Sequence, residues 1–130
     1  MKILVVEDDS EMRATLLDAF REEGCQAQGA SNGSAALKVL GEEEGWLVFL
    51  DWLMPVLDGR AVVNALQANP QLREKNQFIL MSALNERWLK DAQLASEVFT
   101  DILPKPFELE EVLALLHRLD QEPLPTAALS

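Results

Sequence analysis

Acidic, hydroxyl and ammonium side chains follow four short apolar runs of this 130-residue sequence. A Glu-Asp-Asp stretch at residues 7–9 ends the first run, and Asp51, Ser82 and Lys105 follow three later ones. Neighbouring carboxylates repel one another unless a cation is present, and an all-oxygen cluster suits Mg²⁺. A carboxylate can attack phosphorus, while an ammonium and a hydroxyl pair with phosphoryl oxygens. These residue types therefore suit Mg²⁺-assisted formation of an aspartyl phosphate, provided that the fold brings them together.

Five apolar runs alternate along the chain with five segments of helical periodicity. The runs are Ile3–Val6, Cys25–Ala30, Leu47–Leu50, Phe78–Met81 and Phe99–Leu103. The first, third and fourth are apolar almost throughout, which favours strands covered on both faces of a parallel sheet. Because crossovers between parallel strands are right-handed, the carboxyl ends of these strands lie at one edge, where sites form. The alternation predicts one open α/β domain with its chemical side chains at that edge.

Capping residues and apolar spacing predict the helices. The helices are expected to follow Asp9-Ser10, Asn32-Gly33-Ser34 and Asp58-Gly59, to run from about Glu86 to Ser96, and to contain Leu109, Val112, Leu113 and Leu116. Gly24 is expected to end the first helix, and Pro70 follows the end of the third. Residues 70–77 are expected to form a loop, which is long for a unit of this kind.

Charge and cysteine content exclude several classes of protein. The chain has 22 acidic and 11 basic residues and a formal net charge of -11. This charge repels nucleic acids and anionic membranes, so neither is an expected direct partner, and it leaves open binding to a basic patch on a protein. Cys25 is the single cysteine, which rules out an internal disulfide and is typical of a cytoplasmic chain. The first residues are too short a run for a signal peptide, and no apolar run approaches the ~18 residues of a membrane span.

Taken one at a time, the candidate residues have ordinary structural explanations. Asp51 and Ser82 could cap turns or helices, and Lys105 could be a solvated lysine. The acidic stretch at residues 7–9 could simply begin a helix, where acids suit the dipole. The expected convergence of all of them at one sheet edge is what favours the chemical interpretation.

Four motifs in the same order resemble the receiver domains of two-component response regulators. The stretch Ile-Leu-Val-Val-Glu-Asp-Asp at residues 3–9 resembles their first strand and acidic pair. Residues 50–59 (Leu-Asp-Trp-Leu-Met-Pro-Val-Leu-Asp-Gly) are similar to the phosphoacceptor segment. Met-Ser-Ala at 81–83 and Leu-Pro-Lys-Pro-Phe at 103–107 resemble the hydroxyl switch position and the Lys-Pro-Phe signature. The resemblance extends from residue 2 to about residue 119.

The resemblance implies a fold and a domain boundary. It implies a flavodoxin-like five-stranded parallel sheet of order 2-1-3-4-5, with five helices distributed on both faces. Residues 1–120 would be the receiver domain, and residues 121–130 a tail or the start of a linker. The peptide bond between Lys105 and Pro106 would be cis, as is typical of the family.

The resemblance also implies a role for each site residue. Asp51 would be the phosphoacceptor, assisted by Lys105 and by Ser82. Asp8 and Asp51 would bind Mg²⁺ directly, the backbone carbonyl of Leu53 would be a further ligand, and Glu7 would act through water. Asp9 lies one place beyond the acidic pair and is left out of the metal shell.

A signalling role with protein partners follows from the same resemblance. The phosphoryl donor would be a histidine kinase or a phosphotransfer protein, and the chain would catalyse only its own phosphorylation and autodephosphorylation rather than act as a classical enzyme. Phosphorylation would alter the surface formed by the helix near 86–96, the fifth strand and the fifth helix. That surface would serve a downstream protein or an output domain outside this chain, or a homodimer contact.

The sequence departs from the family at the positions that transmit the signal. Ile102 occupies the switch position that is usually Tyr or Phe. An aliphatic side chain has no ring that could move between a buried and an exposed site. Val98 and Phe99 replace the usual small residues, with Phe99 expected to fill the core rather than to replace the missing ring. Trp52 is expected to point away from Asp51 and to be a packing residue.

Three alternative functions remain to be weighed. A receiver-fold binding module that acts independently of phosphorylation is compatible with Ile102. A phosphatase of the haloacid-dehalogenase type would need a second carboxylate two residues after Asp51, where Leu53 stands, as well as room for a cap domain. A flavodoxin-like cofactor binder would need small, donor-rich residues in its first loop, and the acidic stretch at 7–9 would repel a phosphate there.

Overall fold

Five parallel strands form one sheet in the computed structural model, which describes residues 1–52, 59–82 and 98–121. The strands are β1 (Lys2–Val6), β2 (Gln26–Ala30), β3 (Trp46–Asp51), β4 (Gln77–Ser82) and β5 (Asp101–Pro104). Their order across the sheet is β2-β1-β3-β4-β5, and every neighbouring pair is parallel. The predicted doubly wound α/β architecture and strand order are confirmed.

The helices lie on both sides of this sheet. In the described residues they are α1 (Ser10–Glu22), α2 (Gly33–Glu42), α3 (Gly59–Ala68), the short α4 (Pro70–Glu74) and α5 (Leu109–Gln121). The helix expected near residues 86–96 lies outside the described residues. No helix in the described parts of the chain is long and apolar enough to cross a membrane.

Alternation along the central strands divides the core into two layers. On β1, Leu4 and Val6 face the layer that α2 and α3 cover, whereas Ile3 and Val5 face the layer that α1 and α5 cover. These four side chains are completely buried. Full burial of one aliphatic side chain stabilises the fold by about 1.5–3 kcal/mol, so the apolar runs fix the strands between the helices.

The predicted caps begin the first two helices. Asp9 accepts hydrogen bonds from the backbone N–H groups of Glu11 and Met12, at 2.9 and 3.2 Å. Asn32 likewise accepts from the backbone of Ala35 at 2.8 Å at the start of α2. Gly24 has a φ of 87°, the left-handed conformation that favours glycine after a helix. The bonds of Asp9 therefore orient the loop that leaves β1, and the bond of Asn32 orients the loop that leaves β2.

The expected loop at residues 70–77 was a wrong prediction, because α4 occupies its first part. Pro70 stands at the start of this helix, where its missing N–H costs nothing. The side chain of Asn76 then accepts a hydrogen bond from the backbone of Trp46 at 2.9 Å and donates one to the Leu72 carbonyl at 2.8 Å. The segment is therefore structured, and it is joined to the start of β3.

Strand β5 begins two residues later than the apolar run predicts. The backbone N–H and the hydroxyl of Thr100 both donate to the carbonyl of Phe78, at 2.9 and 3.2 Å. Phe99 consequently precedes the strand and packs, partly buried, against the layer that α2 and α3 cover. Its ring lies edge-on to Trp52, with 6.3 Å between the ring centroids.

Candidate functional site

Strand register brings the candidate residues to one edge of the sheet. Val6 pairs with Leu50 in the alignment of β1 with β3, so Glu7 and Asp51 are the next residues along two adjacent strands. Ser82 pairs with Pro104 in the alignment of β4 with β5, and Lys105 follows directly. The carboxyl ends of β1, β3, β4 and β5 thus carry the residues expected from the sequence.

Three carboxylates form a cluster at this edge. One carboxylate oxygen from each of Glu7, Asp8 and Asp51 lies within 4.8 Å of the other two. Glu7 is 1% exposed and Asp51 5% exposed, whereas Asp8 is open to solvent. Two buried carboxylates and one solvent-exposed carboxylate thus form an acidic pocket.

Lys105 bridges the two buried carboxylates. Its Nζ lies 2.6 Å from Oε1 of Glu7 and 3.4 Å from Oδ1 of Asp51. The peptide bond from Lys105 to Pro106 is cis, as the sequence predicted. The backbone N–H of Lys105 donates to the Ser82 carbonyl at 2.8 Å, which fixes this turn to the end of β4.

The electrostatics of the site disfavour a charged Asp51. Burial, then the hydrogen bond with Glu7 and its negative charge, raises the pKa of Asp51 from 3.8 to about 7, although Lys105 opposes this. Burial alone would lower the pKa of Lys105, but Glu7 and Asp51 outweigh it and raise that pKa above 10.5. The cluster therefore carries more negative charge than the one lysine neutralises.

The other predicted site residues have distinct positions. Ser82 is 3% exposed at the end of β4, and Ile102 is 38% exposed on the edge strand β5. Leu53 lies outside the described residues, so its expected ligand role has no geometry here. Asp9 caps α1 through its side chain. Trp52 is 3% exposed in the layer opposite to Asp51's side of the sheet, as predicted for a packing residue.

Arg13 touches the site loop, and the sequence analysis did not single it out. Its guanidinium donates to the backbone carbonyl of Glu7 at 2.7 Å. A signal was available in Gly29, because a glycine inside a predicted strand often marks a close approach by another group. The side chain of Arg13 makes that approach.

Comparison with known proteins assigns the chain to a family. The family model described as the response regulator receiver domain matches residues 3–117. This match covers most of the chain, which therefore belongs to the response regulator receiver domain family. Members of this family are signalling switches of two-component systems rather than classical enzymes.

Individual relatives agree with this assignment. The chain is 33% identical over 119 residues to a probable chemotaxis protein CheY of Rhizobium etli, covering 89% of each. It is 31% identical to the sporulation initiation phosphotransferase F of Bacillus subtilis, covering 85% of this chain and 86% of that protein. It spans only 26–49% of several transcriptional regulators that it also matches, and 52% of the response regulator MprA of Mycolicibacterium vanbaalenii.

A solved structure gives the same fold with a ligand bound. The response regulator TrrA of Thermotoga maritima, in complex with Mg²⁺-BeF, superposes with a TM-score of 0.74 at 29% identity. The alignment covers 91% of this chain and 97% of TrrA. The bound ligand is a property of TrrA, and it identifies the kind of site with which the acidic pocket of this chain is to be compared.

Proposed function

We propose that this chain is a phosphorylation-controlled signalling switch in which Asp51 accepts a phosphoryl group. The observation that carries the proposal is the contact of Lys105 with two buried carboxylates, Glu7 and Asp51, at the sheet edge. The phosphoryl donor is a histidine kinase or a phosphotransfer protein. In the transfer, an Asp51 carboxylate oxygen bonds to phosphorus while the phosphorus–nitrogen bond of the donor breaks, and the imidazole keeps the electron pair.

The donor set of the acidic pocket fits Mg²⁺. Three carboxylates lie together, and Lys105 is the cation that contacts them among the described residues. Asp8 and Asp51 would bind the ion directly, with the backbone carbonyl of Leu53 as a further ligand and Glu7 acting through water. When bound, Mg²⁺ supplies positive charge for the phosphoryl oxygens.

The remaining side chains stabilise charge around Asp51. The Nζ of Lys105, 3.4 Å from Asp51 Oδ1, is within reach of an oxygen of a phosphoryl group carried on that carboxylate. Ser82, at the end of the neighbouring strand, supplies a hydroxyl donor to a second phosphoryl oxygen. Lys105 and Ser82 thus hold the product, and water entering from the open side of the pocket hydrolyses it.

Phosphorylation by acetyl phosphate tests the proposal without a cognate kinase. Incubation of the chain with acetyl phosphate and Mg²⁺ is expected to add one phosphoryl group, detected by intact-protein mass spectrometry. The adduct should be absent in Asp51→Asn and after chelation with EDTA. Asp18→Asn, which removes an exposed carboxylate of α1, is the matched control and should be phosphorylated like the wild type. An adduct that persists in Asp51→Asn would sink the site assignment.

The output of the switch is a changed protein surface. We propose that phosphorylation alters the surface formed by residues near 86–96, β5 and α5, and that a downstream protein, an output domain or a second copy of the chain binds there. Residues 1–120 constitute the receiver unit and residues 121–130 a tail or linker, with the protein acting in the cytoplasm. Direct binding to nucleic acid or to a membrane is not part of this function, given the net charge of -11.

A second candidate function follows from the switch position. Ile102 is an exposed aliphatic residue where the family usually has a ring, which favours a binding module whose surface does not respond to phosphorylation. Partner affinity measured with and without beryllofluoride, a phosphoryl mimic, separates the two functions. A change in affinity supports the switch, and equal affinities support the phosphorylation-independent module.

A further inference from the structure

The loop that carries the acidic pair is held by one residue of α1. The backbone N–H of Arg13 donates to the Asp9 carbonyl at 2.9 Å, while its guanidinium donates to the Glu7 carbonyl at 2.7 Å. Asp8 lies between these two acceptors. The main chain on both sides of Asp8 is therefore bonded to Arg13, at the start and at the end of the loop.

The stem of the Arg13 side chain lies against strand β2 on its way to this carbonyl. A Cβ atom placed on Gly29 would lie 3.0 Å from Cδ of Arg13 and 3.1 Å from Cδ1 of Leu17, so the arginine stem lies directly on the backbone of β2. The Glu7 N–H donates to the Ala30 carbonyl of the same strand at 3.1 Å. The peptide groups of Glu7 are thus bonded from β2 on one side and from Arg13 on the other.

We infer that Arg13 is a positioning residue for the metal site, an inference that rests on the function proposed above. Its guanidinium donates to a main-chain carbonyl and not to a carboxylate of the pocket. Its guanidinium fixes the main chain of the loop so that the carboxylates of Glu7 and Asp8 stay within reach of Asp51. A charge-assisted hydrogen bond to a carbonyl is stronger and shorter than a neutral one, which suits this purpose. Loss of partners that orient metal ligands typically lowers metal affinity about 10- to 100-fold.

The chain itself offers a matched control. Arg21, on the same helix, donates to the backbone carbonyl of Ala27 on the same strand at 2.8 Å. The two arginines therefore make the same kind of bond from α1 to a main-chain carbonyl. The Arg13 bond is partly buried and the Arg21 bond is exposed, so the two variants are expected to differ in stability. Only the acceptor of Arg13 belongs to the acidic loop, so a loss of Mg²⁺ affinity beyond the measured loss of stability is expected in Arg13→Met alone.

The experiment compares Mg²⁺ affinity with stability in full-length variants. Mg²⁺ alone is titrated into wild type, Arg13→Met, Arg13→Lys and Arg21→Met, and binding is followed by tryptophan fluorescence, since Trp52 directly follows Asp51. Unfolding by urea in EDTA gives the stability of each variant without metal. We expect Arg13→Met to weaken Mg²⁺ binding by about tenfold or more. Arg21→Met should change it by less than about twofold, because it is remote from the loop. Arg13→Lys, which keeps one donor and the charge, should recover part of the affinity.

A salt titration separates positioning from long-range charge. At about 1 M salt, charges are screened beyond about 3 Å, so the ratio of affinities between wild type and Arg13→Met should persist only if the hydrogen bond matters. Equal Mg²⁺ affinities in wild type and Arg13→Met, or a ratio that vanishes in salt, overturn the inference and leave the proposed function standing. A wild-type chain that binds no Mg²⁺ overturns the proposed function instead.

Discussion

Replacing Asp51 by asparagine should stabilise the metal-free protein, and the gain should grow with pH. Asp51 is 5% exposed and lies beside Glu7. Burial first, and then the hydrogen bond and charge of Glu7, raises its pKa from 3.8 to about 7. In the unfolded chain the carboxyl ionises at its ordinary pKa, so the folded state holds a proton that the unfolded state has released. Ionising Asp51 in the folded protein therefore costs stability.

The sign and the pH window follow from these two pKa values. Because the pKa of Asp51 is raised in the folded state, its contribution to the stability of the folded protein is complete below the unfolded pKa of 3.8. This contribution is lost as the pH rises through the folded pKa of about 7. A shift of roughly three pKa units corresponds to at most about 4 kcal/mol, and relaxation around the carboxylate reduces this to about 1–3 kcal/mol. Asparagine is neutral at every pH and avoids the cost.

Urea unfolding in EDTA at several pH values provides the measurement. The stability of Asp51→Asn relative to wild type should increase by about 1–3 kcal/mol between about pH 5 and about pH 8. Asp18→Asn, at an exposed position of α1, should show no such trend. Added Mg²⁺ should narrow the difference at the higher pH, since it stabilises the ionised carboxylate. A gain that is the same at both pH values would refute the reasoning, because asparagine would then act through packing rather than charge.

Four further substitutions test which contacts stabilise the site and the fold. Lys105→Met leaves the buried carboxylate of Glu7 without its cation and should cost about 2–3 kcal/mol in urea unfolding at neutral pH. Because the pKa of Lys105 is raised, the difference in free energy of unfolding between wild type and Lys105→Met should shrink as the wild-type lysine deprotonates above pH 10.5. A difference that stays constant with pH would contradict a role for the lysine charge. Phe99→Ala should lower the free energy of unfolding by about 1–3 kcal/mol and shift the fluorescence of the tryptophan that the ring contacts; unchanged emission would argue against that contact. Gly24→Ala should destabilise the protein by about 1 kcal/mol, because Gly24 has a positive φ. Gly41→Ala should stabilise it by about 0.5–1 kcal/mol, because Gly41 lies inside α2 with open space around it. Thermal unfolding measures both changes, and the same sign in both would be inconsistent with a backbone cause.

The convergence of the site residues could be predicted because strand ends are visible in the sequence. The apolar runs before Glu7 and Asp51 are uninterrupted, so each strand is expected to end at the first charged residue. The parallel register of β1 and β3 then brings these two charged residues to the same edge of the sheet. On β5 the pattern is less clear, because the charged Asp101 begins the strand, and Lys105 follows it only after Pro104. The apolar pattern predicts which residues meet at the edge of the sheet, and the chemistry of those residues predicts the kind of site that they form.

Contacts to the main chain are what the sequence could not reveal. The carbonyl of Glu7 is present in every residue type, so nothing in its side chain indicates that Arg13 donates to it. The same holds for Thr100, whose two bonds to the Phe78 carbonyl lie just before β5, a strand that begins two residues later than the apolar run. Tertiary acceptors of this kind carry no residue signature, and only the glycine on β2 against which the arginine lies gave an indirect one.

Lys105 connects the site to the edge strand without an aromatic residue at position 102. Its ammonium contacts Glu7 and Asp51, while its backbone N–H is bonded to the Ser82 carbonyl at the end of β4. Under the proposed function, a phosphoryl group on Asp51 would compete with Glu7 for the same ammonium, and a shift of the Lys105 side chain would act on the turn that follows β5. Ile102 lies three residues earlier on that strand, with its side chain exposed. Under the proposed function, the main chain of β5 therefore offers a path from Asp51 to the surface around Ile102 that needs no ring at position 102.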